Sequence, residues 1–240
     1  MTGPSGEAGR RSELASRLSA VRARVAAACD AAGRSADEVT LIAVTKTYPA
    51  SDVRLLAGLG VRDIAENRDQ EAAPKAAACA AFGLNITWHF VGQLQTNKAA
   101  SVVSYAQVIH SVDRLRLARA LGSRAREAGR TVTCLVQVSL DGDPDRGGAV
   151  GPQVEEVADA VASQGGLVLG GVMAVAPLGQ PPAVAFRNLM KAAESVRSAH
   201  PGAVMVSAGM SDDLEQAIEA GATHVRVGTA LLGGRRPFVR

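Results

Sequence analysis

Lysine is scarce in this chain: only Lys46, Lys75, Lys98 and Lys191 stand among its 26 basic residues, and the rest are Arg. Where only positive charge is needed the sequence uses Arg, so each Lys merits inspection as a nucleophile, because an ammonium can lose its proton and a guanidinium cannot. Lys46 follows the apolar run Leu41-Ile42-Ala43-Val44-Thr45. At a strand end that opens into a partly dry cleft, desolvation favours a neutral amine, and that amine forms Schiff bases with carbonyl groups. The plainer reading is a Lys that snorkels from a strand end or pairs with a carboxylate such as Glu66.

A second group is Ser207-Ala208-Gly209-Met210-Ser211-Asp212-Asp213, with Arg226-Val227-Gly228-Thr229 shortly after it. Ser211 reads as an N-cap with Asp212 and Asp213 in the first helical turn, which is a sufficient structural explanation by itself. The same residues also suit a phosphate: Gly209 lets backbone approach a ligand, a helix start offers N–H groups, and Ser207, Ser211 and Thr229 add hydroxyls. Arg226 adds a guanidinium and Gly228 a second point of close approach.

Other polar residues carry less. His89 and His110 lie within apolar runs, where a lone His is more often a hydrogen-bonded structural residue than a catalyst. Asp141, Asp143 and Asp145 lack the Gly and the closing Glu of a calcium loop and read as a solvated loop. Gln93, Gln95, Asn97 and Lys98 follow the third apolar run as polar residues that open a helix.

These residues sit at the ends of regularly spaced elements. Runs rich in Val, Ile and Leu at 40–46, 63–67, 88–93, 108–112, 134–140, 167–175, 204–208 and 224–228 read as eight strands. Between them lie segments with helical periodicity: Val154, Val157, Ala158 and Val161 share one face, as do Phe186, Leu189, Met190, Ala193 and Val196. Leu14, Leu18, Val21 and Val25 mark a further helix ahead of the first strand. Strands that alternate with helices and are apolar throughout imply a parallel sheet covered on both faces. Eight such units in 240 residues match a single α/β (β/α)₈ TIM barrel. An open doubly wound sheet would carry G-x-G-x-x-G after its first strand, where this chain reads Val44-Thr45-Lys46-Thr47-Tyr48-Pro49. The expected organisation is a frayed tail over 1–11 and one barrel domain over 12–240.

In such a barrel the functional face lies at the C-terminal strand ends, and phosphate is often held after strands seven and eight. An amine on strand one facing a phosphate cradle asks for an aldehyde and a phosphate on one small molecule. Pyridoxal 5'-phosphate (PLP) has both, and a phosphorylated sugar bound by a Schiff-base aldolase satisfies the same geometry.

Composition removes several other classes. Charges nearly balance, 26 basic against 23 acidic, so the excess of +3 is no nucleic-acid footprint. The most apolar window, 167–178, is far shorter than the roughly 20 residues a bilayer requires, so no membrane segment is expected. Cys29, Cys79 and Cys134 are widely spaced and odd in number, which predicts neither a disulfide framework nor a zinc site and fits a reducing cytoplasm.

Several segments carry a family resemblance. Ala43-Val44-Thr45-Lys46-Thr47, Glu66-Asn67, Trp88-His89-Phe90-Val91-Gly92-Gln93-Leu94-Gln95-Thr96-Asn97-Lys98, His110-Ser111-Val112-Asp113, Gly171-Val172-Met173-Ala174, Ser207-Ala208-Gly209-Met210-Ser211-Asp212-Asp213 and Val225-Arg226-Val227-Gly228-Thr229-Ala230 occur in the order of the YggS/PROSC family. The chain resembles these pyridoxal phosphate homeostasis proteins over about residues 12–235. The resemblance implies a barrel like the N-terminal domain of alanine racemase, with PLP as a Schiff base on Lys46. It places Ser207, Gly209, Ser211, Arg226, Gly228 and Thr229 around the phosphate, and Asn67 and Met173 near the pyridine ring. It further implies a carrier that buffers or delivers PLP to PLP-dependent apo-enzymes, as a monomer, rather than a catalyst. Departures from the family pattern are Tyr48, where many members have a second Lys, Ala65 in place of Gly, and Arg146-Gly147-Gly148 in place of Lys-x-Gly.

The competing readings are a PLP-dependent racemase of the alanine racemase type, which requires a second, β-rich domain, and the cofactor-free aldolase. The first predicts amino-acid turnover and the second a colourless protein.

Overall fold

The computed structural model describes residues 4–143 and 146–234. Residues 1–3 of the expected tail, Asp145 of the aspartate cluster and residues 235–240 of the expected domain lie outside the described residues. Eight parallel strands close into a barrel in sequence order: β1 Thr40–Val44, β2 Asp63–Glu66, β3 Thr87–Phe90, β4 Val108–Val112, β5 Val132–Gln137, β6 Leu167–Met173, β7 Met205–Ser207 and β8 His224–Val227. Closure is made by β1 and β8, where Ile42 pairs with Arg226 and Ala43 with Val227. Parallel neighbours require a crossover, and each is a helix: α2 Ala50–Gly58, α3 Asp69–Ala81, α4 Ala99–Tyr105, α5 Leu115–Glu127, α6 Gln153–Ala162, α7 Pro182–Ala199 and α8 Leu214–Ala220, with α9 Thr229–Leu232 after β8. A preceding helix, α1 Pro4–Ala31, packs on α8 and α9.

The apolar faces read from periodicity are the buried ones. Leu14, Leu18, Val21 and Val25 of α1 lie under 9% exposed, as do Val154, Val157, Ala158 and Val161 of α6. The tail expected through residue 11 is instead helical from Pro4. Arg10 holds it down by an ion pair to Asp52 Oδ2 at 2.7 Å and a bond to Leu232 O, contacts that local composition does not reveal.

The strands end earlier than the apolar runs suggest: β1 stops at Val44 and β6 at Met173. Between strands and helices the core is aliphatic. Inside the barrel it is mixed: Val108, Leu135 and Met173 cluster beside buried His89, His110, Ser207 and Arg226.

Candidate functional site

The C-terminal strand ends surround a cavity of about 320 Å³. Lys46, Asn67, Met173, Ser211, Arg226, Gly228 and Thr229 all line it, so residues spread over most of the sequence converge at the mouth. Ser207 and Gly209 are not among the residues that line it. Ser207 is fully buried behind Arg226, its hydroxyl engaged by the Arg226 guanidinium and by His110. Gly209, at φ +86°, faces α8: a Cβ there would lie 2.6 Å from Ala217 Cβ, so this Gly allows the loop to pack closely on α8.

Lys46 is half-buried and makes no hydrogen bond or ion pair with the described residues. Its sequence-level alternative partner, Glu66, is taken. Glu66 Oε1 accepts from Lys75 Nζ of α3 and from Thr45 Oγ1 at 2.6 Å, and Lys75 Nζ also donates to Thr45 O at 2.8 Å. Burial raises the Glu66 pKa, and Lys75 opposes that shift. The backbone beyond Lys46 is strained: Thr47, a β-branched residue, has φ +69°, and its N–H donates to Glu71 Oε2 at 3.1 Å. Such outliers concentrate at functional sites.

Across the mouth the loop after β7 meets α9. Ser211 is not an N-cap: α8 begins at Leu214, capped by Asp213 without a side-chain bond. Ser211 Oγ instead accepts from Ala230 N at 3.2 Å, which stitches this loop to α9, while Asp213 Oδ1 accepts from Met210 N at 2.6 Å within the loop. Gly228 opens α9 with no side-chain cap, beside the exposed Thr229.

Arg226 lines the same cavity as Ser211, Gly228 and Thr229. It is buried, which pushes its pKa down to about 10, and its guanidinium turns towards the neighbouring strands β7 and β6. Nη1 donates to Ser207 Oγ at 2.6 Å and Nη2 to Ala174 O at 2.8 Å. It therefore forms a cationic part of the cavity wall on the β6–β7 side, near Met173.

Besides Asn67, which was expected near the ring, the cavity is lined by two residues that the search for chemistry-bearing side chains missed, Thr47 and Tyr48. Asn67, whose side chain makes no hydrogen bond among the described residues, is held by Gly92: a Cβ at Gly92 would fall 1.9 Å from Asn67 O. Tyr48 is buried and its hydroxyl donates towards Gly233 O and Gly234 O, at 3.0 and 2.8 Å, which ties the segment after α9 to the mouth. Thr47 lines the cavity as well. Arg146 is bound to Asp141 and Ala176 O in a neighbouring depression that shares Val175 with the main cavity.

His89 and His110 are hydrogen-bonded residues of the barrel interior, as their positions suggested. No group of three or more His, Cys, Asp or Glu side chains among the described residues is placed to hold a metal. No helix among them is long and apolar enough to cross a membrane.

Comparison with known proteins extends these observations. Residues 16–236 match the family model "Alanine racemase, N-terminal domain". The pyridoxal phosphate homeostasis protein of Mycobacterium tuberculosis is 44% identical over 244 residues, 95% of each chain. That of Escherichia coli K12 is 35% identical over 228 residues, covering 93% of this chain and 97% of its own. Among solved structures, PipY of Synechococcus elongatus PCC7942 with PLP bound superposes with a TM-score of 0.80 at 33% identity, over 92% of this chain and all of PipY (100%).

Proposed function

The chain belongs to the pyridoxal phosphate homeostasis proteins, and on that premise we propose that it binds PLP in the mouth cavity and holds it for intracellular supply. The observation that carries this reading is Lys46, a half-buried amine without a partner among the described residues, facing hydroxyls and a helix start across a cavity sized for a small molecule. The donor set fits the group. PLP brings an aldehyde, which condenses with a primary amine and releases water, and a phosphate, which seeks N–H groups, hydroxyls and positive charge.

In this reading Lys46 supplies the amine, and the strained Thr47 backbone, anchored by Glu71, holds its stem at the mouth. Ser211, Gly228 and Thr229 receive the phosphate where the loop after β7 is stitched to α9. Asn67 and Met173 flank the ring. Arg226 contributes a fixed cationic wall whose fork is held from behind by Ser207. Gly209 acts through loop packing.

The role is that of a carrier, not an enzyme. We place the protein in the cytoplasm, in keeping with three buried unpaired cysteines, and take PLP-dependent apo-enzymes as recipients and a monomer as the acting form. Titration with PLP tests the reading: absorbance near the visible edge should appear and saturate with wild type and be lost in Lys46→Ala. Steady turnover of alanine or another amino acid by the loaded protein would favour the racemase reading instead.

A further inference from the structure

A hydrogen-bonded chain runs through the barrel from its N-terminal edge to the cavity wall. Asp63, which opens β2 with its side chain 28% exposed, meets His89 Nε2 through Oδ1 at 3.0 Å. His89 Nδ1 lies 2.8 Å from His110 Nε2, and His110 Nδ1 lies 3.0 Å from Ser207 Oγ. Arg226 Nη1 completes the chain on Ser207 Oγ. His89, His110, Ser207 and Arg226 are all buried.

The two ends of the chain have fixed roles. A guanidinium only donates and a carboxylate only accepts. Burial, together with the neighbouring His89, Arg226 and His224, holds the His110 pKa well below 6.5, so its ring is neutral and has one donor and one acceptor. One arrangement satisfies every bond with a single hydrogen on each ring: His89 Nε2–H donates to Asp63 and His89 Nδ1 accepts from His110 Nε2–H. His110 Nδ1 must then accept the Ser207 hydroxyl proton, which leaves Ser207 lone pairs free for Arg226. All donors point from the cavity towards Asp63.

We propose that His110, backed by His89 and Asp63, is a positioning residue for Arg226: the ordered relay aims the Ser207 hydroxyl so that it accepts from the guanidinium and fixes its fork in the cavity wall. The effect on PLP rests on the function proposed above; the ordering of the relay does not. A charged guanidinium inside a barrel needs acceptors, and Ser207 and Ala174 O are the ones it has. Were Ser207 free to rotate, its proton would point at Arg226 in part of the population and the fork would loosen.

Nitrogen-15 NMR of the PLP-free protein reads this directly. Long-range ring correlations should show His89 and His110 both protonated on Nε2 and bare on Nδ1, with the Arg226 side-chain N–H signals slow to exchange. Asp63→Ala, at the far end from the cavity, should mix the His110 tautomers and speed Arg226 exchange at least tenfold. Asp63→Asn, whose amide oxygen still accepts, should restore the wild-type pattern. In PLP-loaded protein, Asp63→Ala should shift the cofactor absorption maximum and Asp63→Asn should not. His110 protonated on Nδ1 in wild type, or Arg226 exchange unchanged in Asp63→Ala, overturns the proposal. Failure of the wild type to take up PLP, with the tautomers and exchange as described, overturns the PLP reading and leaves the relay standing.

Discussion

Lys75 Nζ donates to Glu66 Oε1, so the carboxylate that ends the strand beside β1 is neutralised from α3 and not by Lys46. Two of the chain's four lysines are thereby given opposite tasks. Lys75 is spent on a buried charge, and Lys46 is left at the mouth without a partner among the described residues.

Removing that buried cation should be costly. Lys75→Met leaves Glu66 desolvated and unpaired, a change worth about 3–5 kcal/mol. Urea denaturation at neutral pH should show this loss, with much of it recovered when Glu66→Gln is added. A single variant within about 1 kcal/mol of wild type would mean that the pair does not compensate Glu66.

Acid should destabilise the fold through its buried histidines. Burial holds His224 down to about 4 and His110 well below 6.5. Both folded-state values lie below the unfolded one, so on acidification the unfolded chain takes up protons that the folded chain refuses. Stability is therefore full above about pH 6.5 and falls as the pH drops towards 4, by roughly 3 kcal/mol for His224 on the scale of 1.36 kcal/mol per pH unit. Denaturation midpoints from pH 7 to 4.5 test the slope, which should flatten in His224→Gln. A pH-independent midpoint over this window contradicts the burial argument.

Two glycines in the cavity wall should respond differently to the same methyl group. A Cβ at Gly92 would lie 1.9 Å from Asn67 O, a backbone clash, while one at Gly228 would lie 3.4 Å from Val44 O. Gly92→Ala should cost about 2–3 kcal/mol and displace Asn67, with weaker PLP binding; Gly228→Ala should stay within about 1 kcal/mol of wild type. Melting curves and PLP titrations of the pair separate these outcomes, and equal behaviour would contradict the packing assigned to Gly92.

The barrel was legible because its signals are local. Apolar runs and helical faces such as Leu14, Leu18, Val21 and Val25 of α1 depend on residues within a few turns. Lys46 and the Ser211, Gly228 and Thr229 side of the mouth were legible because the fold dictates where strand ends meet. What was not legible depends on partners distant in sequence. Ser207 and Gly209 read as ligand contacts, yet Ser207 is claimed by Arg226 and His110, and Gly209 by Ala217. The helical start of the chain rests on Arg10 meeting Asp52, 42 residues away. Arg226, grouped with the phosphate residues because of its neighbours in sequence, also binds Ser207 and Ala174 O, contacts that the sequence does not reveal.

The most direct test of the central claim is to load the protein with PLP, reduce it with borohydride and map the modified peptide by mass spectrometry. The label should reside on the peptide containing Lys46, at close to one per chain, and vanish in Lys46→Ala while the fold persists. A label on Lys75, Lys98 or Lys191, or none on a folded protein, would contradict the assignment of Lys46 as the cofactor-bearing amine.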